Sequence, residues 1–397
     1  MRRETLGLVT LLVAVVAAAQ PPGSTALRQA FLWRSLDSWS LPISQAVMMQ
    51  KDPFASVRAQ AAGVLASNVA KKRLPLLVRY MNEGEARVRE NVMLAAGRMG
   101  RPGLRLAIHG FTDSTPLVRQ AAAWAASHGG SEAFEALSGL LVKERNRAVR
   151  ETLLANLWRL EDSPWQTLAA SYARDDDVYL RRAAAFSLSR SGDQSARAGQ
   201  RLFAADPEPV IRATALRGFE KGKLDRQDLA VLRSALEDAD WRVRAGACRA
   251  LAAHDPVALS PESARNIVDF FSSPHPHLAV SAIAAAASQD RSGTAADLLR
   301  LVHGDEPWLA SEAFVALARR DVPAVVPVAK SWFESENPWR RRAAARSAAE
   351  LGPEFERRAA GDADPSVRLA WLSALDDGAT QERREVLTEL VKNDPDV

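Results

Sequence analysis

Small and apolar residues recur along the chain with the spacing of one helix face. A typical stretch begins at Arg181 and continues with Ala184, Ala185 and Leu188, which follow it by three, four and seven positions. This spacing places the three side chains on one face of an α-helix. No stretch of the sequence sustains the two-residue alternation of a half-buried strand. The pattern therefore predicts an all-α fold.

The helical stripe belongs to a unit of about 31 residues that repeats along the chain. Each copy has an acidic or Pro-containing turn, then an aliphatic residue and Arg, then the stripe. Clear copies are centred on eight arginines, which we call the arginine ladder: Arg58, Arg89, Arg119, Arg150, Arg181, Arg212, Arg244 and Arg368. Weaker copies are centred on Ala279, Ala310 and Arg341, after one longer step of 35 residues from Arg244. This period predicts two helices joined by short turns.

An apolar stretch before each turn predicts the first helix of each pair. Examples are residues 74–81, 103–111, 132–142, 165–173, 225–236, 295–302 and 324–333. Four glycines lie eleven residues after the centre of a copy, where a left-handed helix end favours glycine: Gly100, Gly130, Gly192 and Gly352. Trp124, Trp158 and Trp371 fall inside second-helix patterns, so we expect them in the core.

The repeated unit resembles HEAT-like repeats of the short type first associated with bilin-lyase subunits. The resemblance extends over residues 41–397 and about eleven copies. It implies an α-solenoid, in which each helix pair packs against its neighbours. We expect residues 20–40 to form a linker and a capping helix. Residues 393–397 resemble the turn at 362–367, so the solenoid ends either in a polar cap or in an incomplete repeat.

The first 19 residues have the features of a secretory signal peptide. Arg2 and Arg3 precede an uncharged run over residues 6–19, which ends in small residues followed by Pro21 and Pro22. The run has 14 residues, fewer than the roughly 20 that a membrane-spanning helix needs. We expect cleavage near Ala19 and a periplasmic or secreted protein, with an uncleaved anchor as the alternative. The Arg-rich and Ala-rich composition favours a bacterial source.

The sequence lacks the motifs of familiar enzyme classes. Its single cysteine, Cys248, excludes an intramolecular disulfide and a Cys-based zinc or iron–sulfur site, and it falls on a predicted buried stripe. No histidine is followed by Glu, as in the metal-binding dyads of HEAT-repeat di-iron hydroxylases. Nucleophile-elbow, zinc-helix and phosphate-loop motifs are also missing. His275 and His277 form a His-x-His pair without an acid at suitable spacing. We therefore expect no metal, no cofactor and no enzymatic activity.

The arginine ladder has two interpretations. Regularly spaced cations would follow an anionic polymer such as nucleic acid. Alternatively, each arginine bridges to the acidic turn of a neighbouring repeat and fixes the stacking. Acids lie five or six residues ahead of the ladder positions: Asp52, Glu83, Asp113, Glu144, Asp175, Asp206 and Asp238. Because these acids match the arginines and the formal net charge is only +4, we favour the structural interpretation.

Aromatic and histidine residues near the turns are the candidate partner-binding residues. They are Tyr179, Trp241, His275, His277, Trp308 and Trp339. The aromatics are either interface anchors or hydrophobic staples that fold onto the first turn of the second helix, and the staple is favoured. The ladder breaks at Ala279 and Ala310, in a segment that also contains His303. This break either bends the solenoid or exposes an adaptable contact surface.

These features together favour an exported, non-enzymatic scaffold that binds a protein along the face of its second helices. The partner would belong to an envelope or secreted complex. One alternative is a bilin-lyase-like subunit that binds a tetrapyrrole or its acceptor protein. Another is a nucleic-acid binder related to HEAT-like DNA glycosylases. The predicted signal peptide argues against both alternatives.

Overall fold

A computed structural model describes residues 47–67, 74–255, 259–289, 294–375 and 387–388. Helices account for all the regular secondary structure of these residues, with no strand among them, so the predicted all-α class is confirmed. The predicted signal peptide, the capping segment at residues 20–40 and the turn at 393–397 lie outside the described residues. The chain divides into two compact units, which we call the first unit (Met1–Ser191) and the second unit (Gly192–Val397).

The first unit consists of paired helices. They are α1 (Ala55–Ser67), α2 (Leu74–Val78), α3 (Ala86–Arg98), α4 (Leu104–His109), α5 (Pro116–Ser127), α6 (Phe134–Lys143), α7 (Arg147–Ala155), α8 (Trp165–Ser171) and α9 (Val178–Ser189). The odd-numbered helices are the second helices of the pairs, and each packs against the next odd-numbered helix. Helices α2, α4 and α8 run directly into 3-10 turns, at Arg79–Asn82, Gly110–Thr112 and Tyr172–Arg174.

The second unit continues the same alternation. Its helices are α10 (Gln194–Phe203), α11 (Pro209–Leu216), α12 (Arg226–Leu236), α13 (Trp241–Ala252), α14 (Pro261–Asp269), α15 (Pro276–Ser288), α16 (Thr294–Val302), α17 (Pro307–Ala318), α18 (Val322–Phe333), α19 (Pro338–Arg346), α20 (Ala348–Leu351), α21 (Pro353–Ala360) and α22 (Pro365–Ala374). The second helices are α11, α13, α15, α17, α19 and α22, and each packs against the next. This successive packing is the solenoid arrangement that the repeat predicts.

The apolar stripes of the second helices form the core. In the second unit, buried side chains make one continuous cluster from Leu216 to Trp371. Trp371 is fully buried, as predicted. Trp124 and Trp158 are only partly buried, so the prediction of core positions was wrong for them. The guanidinium groups of Arg159 and Arg190 lie 4.3 and 4.4 Å from the centroid of the Trp158 ring. The ring therefore makes cation–π contacts and does not lie wholly within the apolar core.

Positive backbone φ angles occur at three of the four glycines expected to have them. Gly100, Gly130 and Gly352 have φ values of 62°, 74° and 110°. Gly192 does not, so that prediction was wrong; the residue with positive φ in this part of the chain is Gly222, at 65°. A Cβ atom on Gly222 would lie 2.2 Å from the Gly192 carbonyl oxygen. The close approach of two loops therefore requires glycine at position 222.

The ladder arginines join consecutive turns within each unit. The Arg89 Nε donates to Asp113 in the next repeat at 2.7 Å, while its Nη1 donates to the Glu83 carbonyl of its own turn at 2.6 Å. Equivalent bridges to the next turn are Arg58–Glu83, Arg119–Glu144, Arg150–Asp175, Arg212–Asp238 and Arg341–Asp362. Equivalent bonds to the arginine's own turn are made by Arg58, Arg119, Arg181, Arg212, Arg244, Arg341 and Arg368. These contacts fix the stacking of successive pairs.

The bridges stop at Arg244. The place of the next acid is taken by Ser273, and the buried Arg244 Nε has no hydrogen-bond partner among the described residues. Ala279 and Ala310, which replace the ladder arginine in the next two repeats, are buried. The bridges resume with Arg341, whose Nε donates to Asp362 at 2.8 Å. The second unit therefore contains a stretch without ladder bridges, in which other polar contacts accompany apolar packing: the Gln289 Nε2 donates to the Leu251 carbonyl at 2.6 Å, and Arg346 pairs with Glu312 at 2.8 Å.

Candidate functional site

The candidate aromatic residues lie inside the first turns of the second helices. Trp241 is the first residue of α13, and Tyr179, Trp308 and Trp339 are the second residues of α9, α17 and α19. A hydrophobic staple needs an aromatic residue before the N-cap, so the staple interpretation was wrong about their position. The reason is that Asp177, Asp240 and Asn337 cap three of these helices through their side chains and fix the helix starts ahead of the aromatics.

Three of the four aromatic side chains are exposed. The exposed fractions are 40% for Tyr179, 37% for Trp308 and 59% for Trp339. Trp241 is half-buried because the ring of His275 stacks on it, with 4.7 Å between centroids and 14° between planes. The ring of His277 is also nearly parallel to Trp241, at 6.4 Å and 10°. The His-x-His pair thus extends an aromatic surface.

Trp241, His277 and Trp308 line one groove of about 730 Å³ in the second unit, which we call the aromatic groove. It crosses four consecutive second helices, α11, α13, α15 and α17. Small residues from these helices, including Ala213 and Ala245, also line the groove. The absence of ladder arginines at positions 279 and 310 coincides with this stretch.

Three arginines line the aromatic groove, and no carboxylate does. Arg242 lies over the Trp241 ring at 5.3 Å and pairs with Asp240 at 2.9 Å. Arg249 pairs with Glu220 at 3.2 Å. Arg217 is exposed and has no ion pair within the described part of the chain. The groove therefore combines exposed aromatic area with positive charge.

The other candidate residues lie outside this groove. Tyr179, in the first unit, has the guanidinium groups of Arg147 and Arg182 at 4.4 and 5.2 Å from its ring. Trp339 occupies the same helix position as Trp308 but does not line the groove; Arg342 lies 4.9 Å from its ring. The predicted set thus separates into three groove residues, His275, which stacks on Trp241 without lining the groove, and two exposed aromatics elsewhere.

Sequence reasoning missed the arginines of the groove. Arg217 and Arg249 each lie five residues after a ladder arginine, Arg212 and Arg244. That shared register was readable from the sequence and indicates equivalent positions in neighbouring repeats, although Arg217 lies just after the end of α11. What the repeat pattern did not indicate is that both arginines line the same groove as the aromatic residues.

Cys248 is buried, as predicted, and burial raises the pKa of its thiol to about 12. A thiol with so high a pKa is a poor nucleophile at neutral pH. Within the described ranges, no group of three or more His, Cys, Asp and Glu side chains could hold a metal ion. Nor does any helix of those ranges have the length and hydropathy that crossing a membrane requires.

Comparison with known families supports the predicted repeat. Residues 46–127 and 199–287 match the family model for HEAT repeats. They lie in the first and second units respectively, and the second includes the first three helices that form the aromatic groove. No curated protein is detectably similar to the chain in sequence.

Solved structures show distant similarity. An engineered protein is 16% identical, with a TM-score of 0.42 and coverage of 87% of this chain and 98% of that one. The karyopherin Kap121p bound to Pho4p is 13% identical, with a TM-score of 0.48, and the alignment covers 97% of this chain and 51% of Kap121p. The complex of CpcE and CpcF of phycocyanin lyase from Nostoc sp. PCC7120 is 17% identical, with a TM-score of 0.35 and coverage of 54% and 89%. None of these similarities assigns a partner or an activity.

Proposed function

We propose that this HEAT-repeat chain is an exported, non-enzymatic scaffold that binds a protein of the cell envelope or a secreted complex through its aromatic groove. The observation that carries the proposal is the groove itself, in which Trp241, His277 and Trp308 meet Arg217 and Arg249 over small residues. Trp and Arg are the residues that most often dominate protein interfaces, because they bury large area with strong directional contacts. The nucleic-acid alternative has less support, since the ladder arginines engage carboxylates and carbonyls, and no contact among the described residues specifically favours the tetrapyrrole alternative.

Photo-crosslinking in the native cell tests the proposed surface. With a photoreactive amino acid in place of the groove residue Val280, we expect a discrete crosslinked protein in the envelope or secreted fraction. Trp308→Ala should reduce that product about tenfold or more, because interface anchors typically contribute 2 kcal/mol or more. The yield is measured by immunoblotting and the partner is identified by mass spectrometry.

Two matched variants control this experiment. Trp339→Ala removes an exposed tryptophan from the equivalent helix position outside the groove and should leave the product unchanged. A photoreactive residue at Arg265, which is exposed on α14, should not yield the same product. Equal losses with Trp308→Ala and Trp339→Ala, at unchanged thermal stability, would contradict binding through the groove.

Export is tested separately at the N-terminus. We expect the mature protein to begin near residue 20 and to fractionate with periplasmic or secreted proteins, because residues 1–19 have the composition of a signal peptide. Intact-mass measurement and N-terminal sequencing of the protein from its native cell give the cleavage site. A soluble cytosolic protein that begins at Met1 would contradict export.

A further inference from the structure

We infer that the aromatic groove selects an acidic, extended segment of its partner, in which a bulky apolar side chain lies beside carboxylates. This inference rests on the proposed function and specifies the chemistry of the bound segment. The geometry that points to it is the juxtaposition of Arg217 and Arg249 with Trp241 and Trp308 in one groove that no carboxylate lines.

The charges of the groove favour an acidic segment. Asp240 and Glu220 each pair with one groove arginine, while Arg217 has no ion pair among the described residues. An incoming carboxylate could therefore pair with Arg217 without competition, whereas at Arg249 it would share the guanidinium group with Glu220. A basic segment would instead meet the like charge of Arg217, and no carboxylate in the lining of the groove would pair with it; such like-charge juxtapositions exclude wrong partners.

A second groove, in the first unit, has a different balance. It has a volume of about 690 Å³ and is lined by Arg119, Lys143 and Arg145 together with Glu135 and Glu144. Its Arg119 and Glu144 form one of the ladder bridges, at 2.7 Å. Exposed tryptophan is absent from its lining. The aromatic groove thus differs in having tryptophans and no carboxylate in its lining, whereas the second groove has two carboxylates and no tryptophan.

The aromatic side of the groove accounts for the apolar side chain. Trp308 is 37% exposed, and the nearly parallel rings of Trp241 and His277 line the same groove. Covering such rings with a Leu, Phe or Trp side chain removes a large apolar area from water. The same rings give no reason for binding a purely polar segment.

The register of the two arginines fixes the spacing of the carboxylates. Arg217 and Arg249 each lie five residues after a ladder arginine; Arg249 is on α13, and Arg217 begins the 3-10 turn (Arg217–Glu220) that directly follows α11. Packed helices lie about 8–10 Å apart, and a polyproline II segment returns to the same side after three residues, or about 9.3 Å. Two glutamates three residues apart in such a segment would reach both guanidinium groups.

The same groove is less suited to a single-stranded nucleic acid. Nucleic acids carry one charge per nucleotide, and proteins that bind them use tracks of unpaired cations together with stacking residues. Here two of the three groove arginines already pair with carboxylates, and no ladder arginine lines the groove. A short protein segment with only a few carboxylates better matches the small number of arginines that are available for pairing.

Fluorescence anisotropy with three labelled peptides tests the inference on the purified chain. Each is a 12-residue, proline-rich peptide with one Trp anchor, and two positions three residues apart carry Glu, Gln or Lys. We expect the Glu peptide to bind roughly five-fold more tightly than the Gln peptide and the Lys peptide to bind most weakly, as expected for solvated ion pairs of up to about 1 kcal/mol. A peptide with the two glutamates adjacent should bind less tightly than the spaced one.

Charge reversal provides the sharper comparison. Arg217→Glu should weaken the Glu peptide and strengthen the Lys peptide, whereas Arg265→Glu, which makes the same change in net charge outside the groove, should alter neither. Trp308→Ala should weaken all three peptides by a similar factor. Circular dichroism melting curves check that each variant folds.

The outcomes separate the inference from the proposed function. If all three peptides bind equally and Trp308→Ala weakens them, the groove binds protein segments but the acidic preference is wrong. If no peptide binds and the Val280 crosslink is also missing, both proposals fail. Tighter binding of a 12-nucleotide single-stranded DNA, lost in both Arg217→Glu and Trp308→Ala, would replace the acidic segment by nucleic acid.

Discussion

Replacing Asp228 by Ala is expected to lower the free energy of unfolding by about 3–5 kcal/mol, because it leaves a buried guanidinium group without its counter-charge. The side chains of Arg197 and Asp228 are 2% and 0% exposed and approach to 3.4 Å. Asp228 also accepts a hydrogen bond from the Arg201 Nε at 2.8 Å. Burial lowers the pKa of Arg197, with the charge of Asp228 acting in the opposite direction. Urea unfolding, monitored by far-UV circular dichroism, measures the change in the free energy of unfolding.

The neighbouring Asp225 provides the matched control. Its side chain is 47% exposed and caps α12 by accepting hydrogen bonds from the backbone amides of Gln227 and Asp228. Asp225→Ala should therefore cost only about 1 kcal/mol, the usual effect of losing an N-cap. A double variant with Met at 197 and Leu at 228 should recover much of the loss, since buried pairs are often replaceable by apolar residues of similar volume. Equal effects of the two single substitutions would contradict this account.

This buried pair also marks the limit of what the repeat pattern predicts. Arg197 lies on α10, a first helix, and outside the arginine register, so the ladder analysis had no reason to select it. Its Nη1 donates to the Gly218 carbonyl at 2.8 Å, and a Cβ atom on Gly218 would lie 2.3 Å from the Gln200 side chain. The local Asp225-x-x-Asp228 spacing was the one readable signal, because it is typical of a capping box. Asp228 and the Gly218 carbonyl, the partners of Arg197, are distant from it in the sequence, so spacing alone could not assign them.

The repeat itself was predictable because it is a local rule applied many times. Each stripe needs a neighbour to cover it, so eleven weak copies indicate one architecture more strongly than any single copy does. Helix positions within a copy were less certain. The side chains of Asp240 and Asn337 cap two of the second helices, so Trp241 and Trp339 fall after the N-cap. These aromatics therefore lie in the first turn of the helix and not in the staple position before it.

The candidate site was predictable in part. Trp241 and Trp308 were selected from the sequence as aromatic residues near the turns, and His277 as part of the break in the ladder, and the three do line one groove. Tyr179 and Trp339 follow the same sequence rule but lie elsewhere. The difference arises from which neighbours surround each first turn: the groove residues lie beside small residues such as Ala213 and Ala245. A one-dimensional pattern locates equivalent positions, but a groove depends on the side chains of four helices together.

The ladder predicts a dependence of stability on pH, with the free energy of unfolding falling by about 3 kcal/mol in total as three bridged carboxylates become protonated. Burial is the largest single effect on Asp113 and Asp238 and by itself would raise their pKa, but the hydrogen bonds from Arg89 and Arg212, those from backbone amides and the arginine charges together outweigh it and lower both pKa values. For Glu144 the hydrogen bond from Arg119 is the main cause of a lowered pKa. In the unfolded chain these carboxyls titrate at ordinary values, about 4. The folded state therefore binds fewer protons than the unfolded state as the pH falls.

Consequently, the stabilisation is fully present above the unfolded pKa values and is lost as the pH falls through the lower folded ones. Urea unfolding at a series of pH values from about 7 to 2.5 measures this slope. The triple variant Asp113→Asn, Glu144→Gln and Asp238→Asn should be less stable at neutral pH and should lose less stability on acidification. Replacing the more exposed Glu151, which pairs with Arg182 at 3.1 Å, by Gln should leave the slope nearly unchanged. Only groups whose pKa differs between the folded and unfolded states contribute to the dependence of the free energy of unfolding on pH. If the pH profiles of the triple variant and the unmodified chain are parallel, the ladder carboxylates do not cause the acid sensitivity.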